Sequence, residues 1–131
     1  MKIKELIKKA IDITGKYKPS LDCTAGSVGA ALITKKGNIY TGICIDVCCG
    51  MGFCAEHSAI AEMLKNHESE IEMIVAVNTR NEIFWPCGRC RELMYQVNPK
   101  NKETKVIIND NKTVTLNKLL PKAMTKRERA N

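Results

Sequence analysis

The strongest constraint on the fold of this chain comes from two cysteine-containing segments that must meet in space if they act together. Cys87 and Cys90 are three residues apart and follow Pro86, so a helix that begins there would carry both thiols on one face. Cys54 opens an earlier segment with helical periodicity. Three thiols can bind one zinc ion. The pattern therefore requires a fold that brings the starts of two helices together.

A carboxylate, Glu56, lies close in sequence to this metal pattern and could transfer protons there. Three protein ligands leave a tetrahedral zinc ion one open position for water, whose pKa zinc lowers from about 16 to about 7. Glu56 follows Cys54 by two residues and is placed to accept and return a proton. This combination matches the zinc nucleobase-deaminase signature. We predict one zinc ion per chain, bound by Cys54, Cys87 and Cys90, with Glu56 as the catalytic residue.

Two other interpretations of these cysteines remain open. Cys48 or Cys49 could supply a fourth thiolate and close the zinc site, which would then be structural and would leave Glu56 without a role. The segment 85–90 also has the C-x-x-C spacing of thioredoxin-like oxidoreductases. That interpretation leaves residues 54–56 unexplained, so the open zinc site is preferred.

Both segments resemble those of a known enzyme family. Residues 54–60 (CAEHSAI) and 86–93 (PCGRCREL) are similar to the small cytidine deaminases, including their blasticidin S deaminase relatives. The resemblance covers most of the chain in the same order, with further similar segments at 28–32, 37–42 and 119–121. It implies one α/β domain over 1–131, a three-layer α/β/α arrangement around a mixed five-stranded sheet.

The resemblance also implies a function. It points to zinc-dependent hydrolytic deamination of a cytosine-containing nucleoside, either cytidine, deoxycytidine or a close analogue, in pyrimidine salvage by a cytoplasmic homotetramer. A blasticidin S-type aminonucleoside is the alternative small substrate. A cytosine in nucleic acid and a non-catalytic zinc module are alternatives from other functional classes.

Several residues around the metal acquire roles from the same resemblance. The backbone N–H of Ala55 would contact the pyrimidine carbonyl, and the backbone carbonyl of Trp85 would face the departing ammonia. His57 stands where many members have an arginine that donates to the thiolates; the alternative is a helix-surface histidine. Arg89 and Arg91 flank the last ligand, where they either help to neutralise the thiolates or point into water.

The substrate-binding segment departs from the family pattern. The family has an Asn and, two residues later, a Glu that bond a ribose hydroxyl, whereas this chain has Cys44 and Asp46. The aromatic residue that commonly precedes 28–32 is replaced by Gly26 and Ser27. A thiol bonds weakly and aspartate is one methylene shorter than glutamate. We expect cytidine to be processed weakly and a cytosine compound with another sugar or substituent to be preferred.

Hydrophobic periodicity and turn residues predict the order of the secondary-structure elements. Residues 16–24 and 78–83 are expected to be loops, and 35–38 the turn of a hairpin. Right-handed crossovers would place two helix starts at one sheet edge, near the metal. Helices are predicted at 2–14, from 54 to near 67, after Pro86 and at 117–120, and strands at 27–34, 38–45, 71–77, 105–109 and 113–116.

Composition bounds the remaining possibilities. The net charge of +7 is spread along the chain, and one Trp, three Tyr and two Phe offer little stacking surface for single-stranded nucleic acid, so we expect no nucleic-acid partner. No apolar run approaches the roughly 20 residues of a membrane span. An odd number of cysteines, seven, favours a reducing cytoplasm over a disulfide scaffold. The charged tail at 122–131 lacks an apolar stripe, which favours disorder.

Overall fold

A central sheet lies between two layers of helices in the computed structural model, which describes residues 3–124. The three-layer α/β/α arrangement is the predicted one. The tail predicted to be disordered falls largely on 125–131, which lie outside the described residues. In chain order the elements are α1 (Ile3–Ile13), β1 (Tyr17–Ser20), β2 (Cys23–Thr34), β3 (Ile39–Asp46), α2 (Ala55–Lys65), β4 (Ile71–Asn78), β5 (Ile83–Phe84), α3 (Gly88–Val97), a 3-10 helix (Pro99–Glu103), β6 (Lys105–Asn109), β7 (Lys112–Thr115) and α4 (Leu116–Leu119).

The sheet has seven strands, and the sequence-based prediction of five was wrong in this respect. The five predicted strands form the order β3-β2-β4-β6-β7, in which β4 and β6 are parallel and the other neighbours are antiparallel. The additional strands are short: β1 pairs with the start of β2, and β5 pairs with the end of β4. They were missed because β1 is exposed and contains Pro19, while β5 has only two residues. Neither is long enough to show an alternating pattern.

Each face of the sheet is covered by its own hydrophobic core. On one face, α1 buries Leu6, Ile7 and Ala10 against β2, β4 and β6. On the other face, α2 and α3 contribute Ile60, Met63 and Met94 to a core with Leu32, Ile74 and Val106. Strand β4 has buried residues on both faces, which explains its nearly continuous apolar sequence.

Close contact between α2 and the edge strand β3 depends on a glycine. A Cβ atom added at Gly42 would lie 2.5 Å from the backbone nitrogen of Ala59 and 2.5 Å from the Cβ of Ser58. Only a residue without a side chain allows α2 to approach β3 so closely. This approach fixes the height of α2 above the sheet, and with it the position of the residues at the start of α2.

Polar groups join the end of the β2–β3 hairpin to the turn after α2. The buried carboxylate of Glu68 accepts hydrogen bonds from Asn38 Nδ2 at 2.8 Å and from the Tyr40 hydroxyl at 2.7 Å. The hydrogen bond to Glu68 raises the pKa of Tyr40 to about 12. Among the helices of residues 3–124, none has the length and the apolar composition that a membrane span requires.

Candidate active site

Cys54 and Cys87 are the N-cap residues of α2 and α3, and neither side chain caps its own helix. Both have extended backbone angles, with φ −73° and ψ 157° at Cys54 and φ −68° and ψ 168° at Cys87. Two backbone hydrogen bonds between Ile45 and Phe53, at 3.0 and 3.1 Å, close the irregular loop before Cys54. The loop thereby returns the chain to the sheet edge, where α2 begins beside α3.

The three predicted thiols converge at this edge. Cys54 Sγ and Cys87 Sγ are 3.6 Å apart, and Cys87 Sγ and Cys90 Sγ are also 3.6 Å apart. Zinc–sulfur bonds of about 2.3 Å in a tetrahedron place neighbouring sulfurs about 3.8 Å apart. The thiols are therefore spaced as zinc ligands require, and three soft sulfur donors suit this ion.

The thiol group does not extend to Cys48 or Cys49. Both are exposed in the loop before α2. Among residues 3–124, Cys54, His57 and Cys90 form the group of possible metal ligands whose atoms all lie within 4.8 Å of one another. This group contains His57 and leaves out Cys87, although Cys87 Sγ lies 3.6 Å from the sulfur atoms of both Cys54 and Cys90. Neither Cys48 nor Cys49 belongs to the group, which favours the open site over the closed structural one.

Backbone N–H groups at the start of α3 favour the ionised form of the Cys87 thiol. Partial burial acts to raise its pKa, but hydrogen bonds from the backbone of Cys90 and Arg89 and from neighbouring thiols outweigh burial, so the pKa is lowered. The N-terminus of a helix stabilises a thiolate in this way. Cys87 is therefore prepared for a metal, which binds thiolates rather than thiols.

Glu56 lies in the first turn of α2 and is 5 % exposed. Burial raises the pKa of its carboxyl group above the ordinary value for glutamate. A raised pKa suits a group that must both accept and release a proton near neutral pH. Glu56 also lines the cavity, together with Cys54 and Cys87.

His57 lies beside the third thiol. Its Nδ1 atom is 3.5 Å from Cys90 Sγ, and its ring stacks on Phe53 with centroids 6.4 Å apart. Burial and the nearby charge of Arg89 lower the pKa of His57, which keeps the imidazole neutral at pH 7. A neutral ring with a proton on Nδ1 can donate to the Cys90 sulfur.

A cavity of about 430 Å³ opens above the thiols and has the size of a small-molecule site. All but two of the residues predicted for the site line it; the exceptions are His57 and Cys90. Val47, Phe53 and Phe84 also line it and were not predicted, because apolar residues in irregular segments or in a two-residue strand show no periodicity. The predicted residues on its wall are Cys44, Asp46, Cys54, Ala55, Glu56, Trp85 and Cys87.

One side of the cavity is formed by a group of polar contacts around Cys44. The Val28 backbone N–H donates to Cys44 Sγ at 3.3 Å, and the Ser27 hydroxyl lies 3.2 Å from the same sulfur. Ser27 Oγ also donates to Asp46 Oδ2 at 3.4 Å. Cys44 Sγ also donates to Asp46 Oδ2 at 3.7 Å, so the side chains that replace the family's Asn and Glu contact each other and Ser27.

The two arginines next to Cys90 differ in position. Arg89 is exposed and lines the cavity. Arg91 is half-buried and donates from Nε to the Pro86 carbonyl at 2.8 Å and from Nη1 to the Leu119 carbonyl at 3.1 Å. Arg91 therefore does not point into water, which was one of the two sequence-based expectations.

A buried carboxylate beside three convergent thiols, at the base of a cavity, is the arrangement of a hydrolytic zinc enzyme. Residues 1–107 match the family model described as the cytidine and deoxycytidylate deaminase zinc-binding region. The chain belongs to this family. It is a hydrolytic deaminase with a zinc-binding site, and the matched residues include all three cysteines and Glu56.

Individual relatives agree with this assignment. A cytidine deaminase of Halalkalibacterium halodurans is 32 % identical over 126 residues, which cover 92 % of each chain. A blasticidin-S deaminase of Bacillus cereus is 35 % identical over 81 residues, covering 55 % of this chain and 58 % of that protein. The crystal structure of cytidine deaminase from Mycobacterium leprae is similar in fold, with a TM-score of 0.74 and 27 % identity over 90 % of this chain and 96 % of that one.

Proposed function

We propose that this protein hydrolyses the exocyclic amine of a free cytosine nucleoside, releasing ammonia. The observation that carries the proposal is the buried Glu56 carboxyl beside Cys54 and Cys87 on the wall of one cavity. The cavity volume of about 430 Å³ suits a nucleoside better than a nucleic-acid strand, which needs a continuous groove.

Cys54, Cys87 and Cys90 would hold the zinc ion. Zinc bound there supplies a Lewis acid and lowers the pKa of water. Glu56 would accept one proton as water attacks C4 of the ring and deliver it to ring N3, and would then accept the remaining proton of the new C4 hydroxyl and deliver it to the leaving amine. The C4–N bond breaks, water supplies the new oxygen, and ammonia departs. The raised pKa of Glu56 fits a carboxylate that changes its protonation state during turnover.

Two backbone groups are proposed to orient the ring. Ala55 is the first residue of α2, so its N–H is one of the helix donors without an intrahelical partner. The residue is fully buried. This N–H would bind the pyrimidine carbonyl. The carbonyl of Trp85, whose residue lines the cavity, would face the departing ammonia. His57 would stabilise the Cys90 thiolate by donating from Nδ1.

A substrate other than cytidine is favoured by the contacts around Cys44. The Cys44 sulfur already accepts a hydrogen bond from the Val28 N–H, and Asp46 already accepts one from the Ser27 hydroxyl. A ribose hydroxyl at this wall would find a weak partner in the Cys44 thiol and would compete with Ser27 for Asp46. The preferred substrate is therefore a cytosine compound with a different sugar or substituent, and a blasticidin-like aminonucleoside is the specific alternative.

The decisive experiment is a substrate screen with zinc-loaded protein. Ammonia release is measured with cytidine, deoxycytidine, cytosine, blasticidin S and related aminopyrimidines, and Glu56→Ala with the same zinc content is the control. Turnover of at least one free nucleoside that Glu56→Ala abolishes supports the proposal. Zinc binding without turnover of any of these compounds would favour the structural module, and activity confined to oligonucleotides would favour the nucleic-acid alternative.

Assembly into a homotetramer is proposed from family resemblance. Phe84 and Trp85 line the cavity while remaining 44 % and 52 % exposed, respectively. A second copy of the chain that covers these rings would complete the cavity wall. Light scattering coupled to gel filtration measures the mass in solution, and a monomer at micromolar concentration would contradict the proposal.

A further inference from the structure

A short segment without regular structure carries the second part of the metal site. Trp85, Pro86 and Cys87 lie between the end of β5 and the start of α3, outside any helix or strand. Pro86 is buried, and a buried carbonyl outside regular structure needs a hydrogen-bond donor. The Arg91 guanidinium provides one, because its Nε donates to the Pro86 carbonyl at 2.8 Å.

The same guanidinium reaches the C-terminal part of the described chain. Its Nη1 donates to the Leu119 carbonyl at 3.1 Å, at the end of α4. This helix is held in the core by Leu116, which is fully buried, and Leu119 and Leu120 pack on the same cluster. Arg91 therefore connects the segment before Cys87 to a point that the core holds in place.

The position of Arg91 has an electrostatic cost that these contacts offset. It lies in the first turn of α3, where the helix dipole disfavours a positive charge. A planar guanidinium can donate to two carbonyls in different directions at the same time, which a lysine ammonium on its flexible stem does less well. Both contacts depend on this geometry.

We propose that Arg91 is a positioning residue for the active site, which holds the Trp85–Cys87 backbone against the C-terminal segment so that the Cys87 thiol and the Trp85 carbonyl keep their places. The inference rests on the proposed function only for the role of Trp85. The role toward Cys87 concerns metal binding and is independent of the substrate. Partners that orient metal ligands are typically worth 10- to 100-fold in metal affinity or activity.

The test compares Arg91→Ala with Glu92→Ala. Glu92 is the adjacent residue of α3, and its carboxylate accepts from the Met124 backbone N–H at 3.1 and 3.2 Å, so it also ties down the C-terminal segment but does not contact Pro86. Zinc release is followed with a chromophoric chelator, and the cobalt-substituted proteins are compared by their thiolate charge-transfer bands. Melting temperature, kcat and KM complete the measurements.

We expect Arg91→Ala to release zinc about tenfold faster, to alter the cobalt spectrum, and to lower kcat about tenfold with KM changed by less than about threefold. Glu92→Ala should lower the melting temperature while keeping the wild-type rate of zinc release and the wild-type spectrum. If Arg91→Ala does not fold, Arg91→Lys, which keeps the charge and much of the stem, is measured in the same way and should show a smaller change of the same kind.

Wild-type zinc release and an unchanged cobalt spectrum in the folded Arg91 variant would overturn the proposal, even if the variant melts at a lower temperature. Failure of the proposed function is distinguishable. If no cytosine nucleoside is turned over by the wild type but zinc release still responds to Arg91→Ala, the substrate proposal is wrong and the positioning role is supported.

Discussion

Cys54 and Cys87 occupy equivalent positions at the starts of two different helices, with their sulfur atoms 3.6 Å apart. Each stands at an N-cap where Ser, Thr or Asp would normally bond the helix backbone. Neither side chain makes such a bond, so both thiols are free to turn toward the shared site. Both helices therefore lack a side-chain cap at the N-terminus, and the two cysteines at these positions contribute to a metal site instead.

The first prediction concerns the ligand set. Purified protein should contain one zinc ion per chain, and Cys54→Ala should lose it because two thiols cannot replace the third ligand. Elemental analysis of the variant and the wild type provides the measurement. The matched control is Cys48→Ser combined with Cys49→Ser. Because both thiols are exposed, this double variant should retain full zinc. Loss of zinc in the control would indicate a closed four-thiolate site instead.

The second prediction concerns Glu56. Glu56→Gln keeps the size of the side chain and removes its basicity, so zinc content and fold should be unchanged while kcat falls about 10²- to 10⁴-fold. Circular dichroism, zinc analysis and ammonia release from the best substrate test this together. Activity within about threefold of wild type would show that another group moves the proton.

The third prediction concerns the contacts around Cys44. Cys44→Asn combined with Asp46→Glu restores the family's pair of side chains, so kcat/KM for cytidine should rise by about ten- to a hundredfold, from recovery of roughly 1–3 kcal/mol of hydrogen bonding. Ser27→Ala is the control, because it removes a partner of both residues without restoring the pair. If the wild type already processes cytidine above about 10⁵ M⁻¹s⁻¹, the altered-pocket interpretation is wrong.

The fourth prediction concerns the packing of α2 on β3. Gly42→Ala would place a methyl group against the Ala59 backbone, so it should destabilise the protein by about 1–3 kcal/mol and weaken zinc binding as the start of α2 shifts. Urea unfolding and zinc competition measure the two effects. Gly15→Ala is the control because an added Cβ has no atom within 4 Å there. Equal stability of the two variants would contradict the prediction.

The fifth prediction concerns pH. The neighbouring Thr34 hydroxyl and the Tyr40 hydrogen bond lower the pKa of Glu68 in the folded protein. Its stabilising contribution should therefore be complete above its unfolded pKa of about 4.3 and should disappear as pH falls through the lower folded value. The free energy of unfolding is measured with urea on zinc-free protein. The gap in this free energy between wild type and Glu68→Gln should become smaller as pH falls below about 4.3. The exposed Glu103, changed to Gln, provides the control. A gap that stays constant down to about pH 3 would contradict this assignment.

Much of the fold was predictable because its long elements carry clear periodic patterns. The helix predicted at 2–14 corresponds to α1, the strand at 71–77 to β4, and the hairpin turn at 35–38 joins β2 and β3 as expected. The three-layer arrangement is confirmed, as is membership of the deaminase family. The strands β1 and β5 and the 3-10 helix at Pro99–Glu103 were not predicted, because they are short and partly exposed and are formed by pairing and capping rather than by a hydrophobic stripe.

The chemistry of the site follows from residue spacing alone, which puts two thiols on one helix start, a third thiol on another, and a carboxylate two residues from that third thiol. The hydrogen-bond partners of the surrounding side chains, in contrast, became known only from the folded chain. Ser27 donates a hydrogen bond to Asp46, and Arg91 donates to the carbonyls of Pro86 and Leu119, which are far from each other in sequence. Local spacing fixes which residues share a helix face, whereas these contacts join separate segments and depend on packing of the helices and strands between them.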